Sequence, residues 1–275
     1  MPRWHHLPLL LLLWQAAGAG ADHAAADAFP VWPIPQRLDA EGPPLALGTD
    51  FSFQVLAVGG GAEVALAPGE GVLARAVARY AALLKQPPTR GAHQRRAAPE
   101  LDACTVHALS ASESLLLNTS IAHNITVSPG AKCAIVADTI FGCIAALETF
   151  VQLARGSKRS LVHSSIELSD WPSFPHRGVM VDSGRRFWPL PLLRNQLDVM
   201  AANKMNVLHL HASDMCRWGV ESLVYPELTA AGGRLSVNES GAAAAAGAGF
   251  YSQSDIKALV AFAKDRGIHV MPEFE

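Results

Sequence analysis

Between Pro175 and Asp214 the sequence PHRGVMVDSGRRFWPLPLLRNQLDVMAANKMNVLHLHASD gathers charged and imidazole groups at the ends of two short apolar runs. Asp182 and Arg185 follow Val179–Val181. His211 and Asp214 close the run Val207–Leu210, in which His209 alternates with the apolar positions. Glu273 and Glu275 lie at the end of a third run, Ile268 to Phe274. Carboxylate, guanidinium and imidazole groups donate and accept strong hydrogen bonds and carry protons, which is the chemistry of a polar ligand site. Where parallel strands alternate with helices, such groups at the carboxyl ends of the strands line the site, so Asp182, Arg185, His211, Asp214, Glu273 and Glu275 are candidates by position alone. Arg177 opens the first run.

The elements that must hold these residues are also readable. After Pro189 and Pro191, apolar side chains recur at Leu193, Leu197, Met200 and Ala201, one stripe of a helix of about three turns. Proline in a first turn loses nothing, because its missing N–H would have no partner there. Strand, helix and strand of this length make a right-handed crossover unit of a parallel sheet. Further on, Ser252 with Asp255 three residues later forms a capping box, Ile256, Leu259, Val260 and Ala263 make an inner face, and Gly267 ends the helix before the third strand.

The pattern HRG-x-M-x-D-S-x-R-x-F, followed by K-x-N-V-L-H-x-H-x-x-D, resembles the opening of the catalytic barrel of the β-N-acetylhexosaminidases, glycoside hydrolase family 20. The resemblance continues through Glu221, Ser222, Pro226, Glu227 and Leu228, and through Gly267, Ile268, Val270, Pro272, Glu273 and Phe274. It covers Pro175 to Glu275 and, more weakly, the residues before them. It implies an α/β fold: the start of a (β/α)8 TIM barrel over 175–275, with about three strands, preceded by a small α+β domain over 29–170. It implies hydrolysis of terminal β-linked N-acetylglucosamine or N-acetylgalactosamine by substrate-assisted retention. The partner is then a glycan with a terminal N-acetylhexosamine, without cofactor or metal, and the full-length form could be a homodimer, as many relatives are.

By the same resemblance Arg177 binds hydroxyls of the terminal sugar, a charged hydrogen bond of about 1.5 to 3 kcal/mol; the plainer reading is a buried ion pair with Asp182 or Glu275. Asp214 supports the site from the second strand, and Glu275 stands where the family commonly has Asp. One of His209 and His211 is expected to be a hydrogen-bonded core histidine, and Asp182 and Arg185 to form a structural pair that fixes the first loop. Leu210 replaces a usual Trp, and Met215 stands where the family often has Asp or Ser. The family's acid and orienting carboxylate form an adjacent Asp-Glu pair after the fourth strand. The 275 residues contain no such pair, so this chain, taken by itself and truncated after the third strand, is expected to be inactive. The reading from a different class is a secreted, non-catalytic glycan-binding or partner-binding protein.

Half of the residues are apolar and 17% are charged, the composition of a chain with a core. The net charge of -2 and the lack of a long basic run argue against nucleic acid and anionic membrane, and suit a neutral ligand such as a sugar. Arg3, the run Leu7 to Trp14 and the small residues up to Ala21 read as a secretory signal peptide over 1–21, too short for a membrane span. Asn118, Asn124 and Asn238 head glycosylation sequons. Together these features point to the secretory pathway, ending in a lysosome, a vacuole or outside the cell. Of four cysteines, Cys104 and Cys133 could pair on strand-like segments, Cys143 reads as a buried thiol on a helix and Cys216 as free; no CxxC pair suggests zinc. Helices are expected from Gly71 to Leu84 and from Thr139 to about Leu153, and strands at 51–55, 105–109, 114–117, 125–127 and 133–136. Arg90 to Arg96 reads as a solvated loop and Gly241 to Gly249 as a variable insertion.

Overall fold

The computed structural model describes residues 31–59, 62–65, 70–85, 100–128, 130–154, 160–215, 217–232 and 249–275. The signal-peptide reading, Asn238, Cys216, the 90–96 segment and most of the 241–249 insertion lie outside these residues. The described elements gather around two hydrophobic cores.

The amino-terminal core is built on a mixed sheet, in which β1 (Arg37–Glu41), β8 (Ser165–Asp170), β5 (His123–Ser128), β6 (Lys132–Ala137), β4 (Glu100–Ala108), β2 (Leu45–Gly59) and β3 (Ala62–Ala65) lie side by side, with β7 (Ser160–Leu161) on β2. Helices α1 (Gly71–Leu84) and α2 (Ile140–Ala154) complete it. In β5 and β8 the side chains alternate buried and partly exposed, so Ile125, Val127, Ile166 and Leu168 enter the core while Asn124 and Glu167 face outward. Every residue of α2 is buried. A helix apolar on all sides has no wet face, and α2 meets this condition by lying among α1, the sheet and the carboxyl-terminal segment. Its polar side chains are satisfied: Gln152 Nε2 donates to Glu148 Oε1 and to Ala202 O, Gln152 Oε1 accepts from Trp32 N, and Thr149 Oγ1 donates to Ala145 O.

Cys104 and Cys133 form a disulfide between the adjacent strands β4 and β6. Closing a loop of this length removes about 3 to 4 kcal/mol of unfolded-chain entropy. Cys143 is a buried free thiol, pushed up to about 12 by burial. The strand expected at 114–117 is absent. There Ser110, Ser112 and Thr119 hydroxyls accept hydrogen bonds from the backbone N–H groups of Ser112, Ser114 and Leu116, and these local bonds compete with a sheet ladder.

The carboxyl-terminal core holds β9 (Gly178–Asp182), α3 (Leu190–Ala202), β10 (Val207–His211), β11 (Ser213–Asp214), β12 (Arg217–Trp218), α4 (Pro226–Gly232), α5 (Gln253–Lys264) and β13 (His269–Glu273). Strands β9, β10 and β13 form a parallel sheet with β10 in the middle. Val181 and Leu208 on one face meet Leu193, Leu197 and Met200 of α3 and Leu259 and Ala263 of α5. The capping box at Ser252 is formed, with both reciprocal bonds to Asp255. The two cores are joined by Arg75 on Asp265 at 2.7 Å and by Lys204 Nζ on Asp170 Oδ2 at 2.5 Å. No helix among the described residues is long and apolar enough to cross a membrane.

Candidate active site at the strand ends

The parallel register aligns Asp182, His211 and Glu273 as one row across the carboxyl ends of β9, β10 and β13. Alternation puts this row on the same face as Met180, His209 and Met271, opposite the helices. The apolar residues between them are what hold the strands against α3 and α5, so the same two-residue period that builds the core aims the polar row into the mouth.

One oxygen of Glu273, Oε2, accepts from two histidines: His211 Nδ1 at 2.8 Å and His209 Nε2 at 2.6 Å. On its other side His211 Nε2 lies 3.6 Å from Asp214 Oδ2. Asp214 Oδ2 also accepts from Arg185 Nε at 2.6 Å, and Asp214 Oδ1 accepts from the backbone N–H of Met215. Asp182 Oδ1 takes the backbone N–H of Arg185, and its Oδ2 lies 3.5 Å from Arg185 Nε. Glu275 is tied by its backbone N–H to Ser213 Oγ, and Phe274 before it stacks on Trp218 at 5.1 Å. The result is a chain from Glu273 through His211 and Asp214 to Arg185, whose side chain is 76% exposed at the end of it.

The electrostatics follow from these contacts. The hydrogen bond to Glu273, aided by the charges of Glu273 and Asp182, raises the His211 pKa above its ordinary value. The Met215 N–H and then Arg185 hold Asp214 below the usual carboxylate range, and His211 and His209 do the same for Glu273. Asp214 and Asp182 stabilise the Arg185 cation further. Donor atoms of Asp182, His211 and Asp214 fall within 4.8 Å of one another, as do those of His211, Glu273 and Glu275. Both His211 nitrogens are already engaged, Nδ1 with Glu273 and Nε2 toward Asp214. The arrangement is thus suited to hold an exposed guanidinium and fixed carboxylates against the hydroxyls of a neutral ligand.

Residues 174–275 match the profile of glycosyl hydrolase family 20, catalytic domain. The chain is similar to this family over those residues. It is 35% identical over 145 residues to the β-hexosaminidase subunit alpha of Rattus norvegicus, an alignment covering 52% of this chain and 26% of the relative. To the β-hexosaminidase of Emericella nidulans it is 37% identical over 143 residues, 51% of this chain and 22% of the relative. It spans about a quarter of the length of these curated relatives. In fold it is similar to the chitobiase of Flavobacterium johnsoniae, with a TM-score of 0.70 and 23% identity over 90% of this chain and 34% of that one. A Streptomyces plicatus N-acetyl-β-hexosaminidase in complex with Thio-NAglucal gives 0.67 and 22%, over 90% and 46%.

The structure brings together Asp182, Arg185, His211, Asp214 and Glu275 of the residues singled out above, with Glu273 between the histidines. It does not bring Arg177 to them. Arg177 precedes the first residue of β9, and five extended residues separate it from Asp182 by about 16 Å. Its Nε donates to Lys204 O, its Nη1 to Phe174 O and Pro175 O, and Asn206 Oδ1 accepts from its backbone N–H. It is therefore neither at the polar carboxyl ends of the strands nor in an ion pair with Asp182 or Glu275. The exposed guanidinium at the mouth is that of Arg185, and its carboxylate partner at close range is Asp214 as well as Asp182. Strand polarity was the signal available in the sequence: a residue that opens a parallel strand lies at the wrong end. Of the two histidines, His211 is the buried one, and it faces the row of charges.

Proposed function

We propose that this chain is the amino-terminal part of an exo-β-N-acetylhexosaminidase, contributing the first three strands of a (β/α)8 catalytic barrel behind a small α+β domain. The observation that carries the reading is the Arg185–Asp214 pair at the carboxyl ends of the parallel strands, inside the segment that matches the family's catalytic domain. The substrate is a glycan ending in β-linked N-acetylglucosamine or N-acetylgalactosamine. Arg185 and Asp214 grip its hydroxyls, Glu275, two residues beyond β13, closes the same rim, and the Glu273–His211 contact fixes Asp214. The acid and the carboxylate that orients the acetamido group are not among these 275 residues, which hold no adjacent Asp-Glu pair, so the chain alone binds sugar without cleaving it. Nothing among the relatives favours a non-catalytic glycan-binding role for the whole protein. Exposed Asn118 and Asn124 suit glycosylation in the secretory pathway and delivery to a lysosome, a vacuole or the exterior. Homodimers of the whole protein are part of the same reading.

The test is a titration of the chain with N-acetylglucosamine followed by amide NMR, together with a chromogenic N-acetylglucosaminide assay. Saturable shifts at Arg185, Asp214 and Glu275 with turnover at background are expected. Shifts confined to other surfaces overturn the site, and robust turnover overturns the division of labour.

A further inference from the structure

The loop carrying Arg185 and the hairpin carrying Asp214 have no regular element between them, yet Arg185 Nε meets Asp214 Oδ2 at 2.6 Å. Something must fix their separation. Arg217, on the short strand β12, is 5% exposed and lies directly across from Asp214 in the β11–β12 pairing. Its guanidinium donates from Nη1 to Ser183 O at 2.9 Å and from Nη2 to Gly249 O, and it lies over the Phe187 ring at 5.5 Å. Among the described residues it has no carboxylate partner, and its buried Nε has no hydrogen-bond acceptor. Burial lowers the Arg217 pKa, and Asp182 offsets this only through space, without an ion-pair contact, a cost that a fold relying on packing alone would avoid.

The groups that Arg217 holds are the ones on either side of the pair. Ser183 N, Ser183 Oγ and Gly184 N all donate to His211 O, which fixes one end of the β9–α3 loop on β10. Gly184 and Gly219 let the two loops touch backbone to backbone: a Cβ at 184 would lie 2.7 Å from the Ser213 carbonyl, and one at 219 would lie 2.7 Å from Ala212 O and 3.3 Å from Ser183 O. Tyr251, just after Gly249, is fully buried and donates its hydroxyl to Trp188 O. One planar fork thereby spans the β9–α3 loop, the β11–β12 hairpin and the segment entering α5, and a planar guanidinium is the side chain that can bridge two carbonyls at fixed spacing.

We propose that Arg217 is a positioning residue: it sets the distance between the Ser183–Arg185 loop and the Asp214 hairpin, and so assembles the Arg185–Asp214 pair that grips the sugar. The part about sugar rests on the function proposed above, whereas the positioning does not need it. It is read in the 275-residue chain from the Arg185 Nε–H signal in nitrogen-15 NMR, assigned with Arg185→Lys, and from the titration midpoint of the Asp214 carboxylate. In Arg217→Met the Arg185 signal is expected to exchange with solvent about tenfold faster or more, the loss of a charge-assisted hydrogen bond, while the Asp214 midpoint rises toward the ordinary range. Arg217→Lys, which keeps the charge without the fork, is expected to fall between the two and stands in if the Met variant does not fold. Leu197→Ala, which weakens the same core away from the loops, is expected to leave the Arg185 signal in place.

An unchanged Arg185 signal and Asp214 midpoint in folded Arg217→Met or Arg217→Lys overturns the proposal, as does equal loss in Leu197→Ala. If the wild-type chain ignores N-acetylglucosamine while the Arg217 variants lose the signal, the function is wrong and the positioning stands.

Discussion

Replacing Asp170 by Asn breaks one of the ion pairs that join the two cores. Lys204 Nζ lies 2.5 Å from Asp170 Oδ2, with the side chains 6% and 9% exposed, and His123 Nε2 lies 3.9 Å from the same oxygen. At an effective dielectric constant near 20, a pair this close attracts by about 6 to 7 kcal/mol gross. Most of that offsets desolvation, but removing one partner strands the other charge, and such a loss costs about 3 to 5 kcal/mol. In a chain of this size each kcal/mol moves the midpoint by roughly 2 to 4 °C, so Asp170→Asn should lower Tm by roughly 6 to 20 °C. The double variant Asp170→Leu, Lys204→Met replaces the pair by apolar groups and should recover most of the loss. Lys204 has a left-handed backbone, φ 54°, which Met, unbranched at Cβ like Lys, meets at similar cost. The assay is thermal and urea unfolding by circular dichroism at pH 7, with coincident transitions as the two-state check. A single-variant loss below about 1 kcal/mol, or a double variant no better than the single, would refute the reasoning.

Arg185→Ala should abolish N-acetylglucosamine binding at unchanged fold, whereas Arg177→Ala should lower stability and leave binding intact, because its guanidinium ties Lys204 O, Phe174 O and Pro175 O far from the mouth; NMR titration of both variants separates the roles. The folded pKa of His211 is raised, so the stability it contributes is full below its ordinary value near 6.5 and is lost as pH rises through the raised value. Its imidazole NMR midpoint should therefore lie above 6.5 and fall in Glu273→Gln; a wild-type midpoint at or below 6.5 contradicts the geometry. His123 behaves in the opposite sense: burial and then Lys204 push it down to about 4, so its contribution is present above pH 6.5 and is lost as pH falls from there toward 4. His123→Phe should flatten the acid limb of the stability curve. Ser252→Ala removes the capping box of α5 and should cost about 1 kcal/mol in urea unfolding.

Local pattern determined much of this protein. The stripes of α1, α3 and α5, the prolines before α3, the Ser252 cap and the three apolar runs that became β9, β10 and β13 are each set by residues within a few positions of one another, and the spaced polar motif carries the resemblance to family 20 that the profile match over 174–275 supports. Pairings across the chain were decided elsewhere. The joining of Cys104 to Cys133 required β4 and β6 to be neighbours, and β1 finds β8 across more than a hundred residues. The complete burial of α2 came from a second core closing over its outer face, and Ser114–Leu117 gave up its alternation to hydroxyl groups nearby. The site shows the divide most clearly. Its residue types and the ends of its strands could be read from the sequence, but the shared oxygen of Glu273, the Arg185–Asp214 contact and the Arg217 fork join loops remote in sequence. Side-chain reach between strands depends on register and packing, and neither has a local period to read.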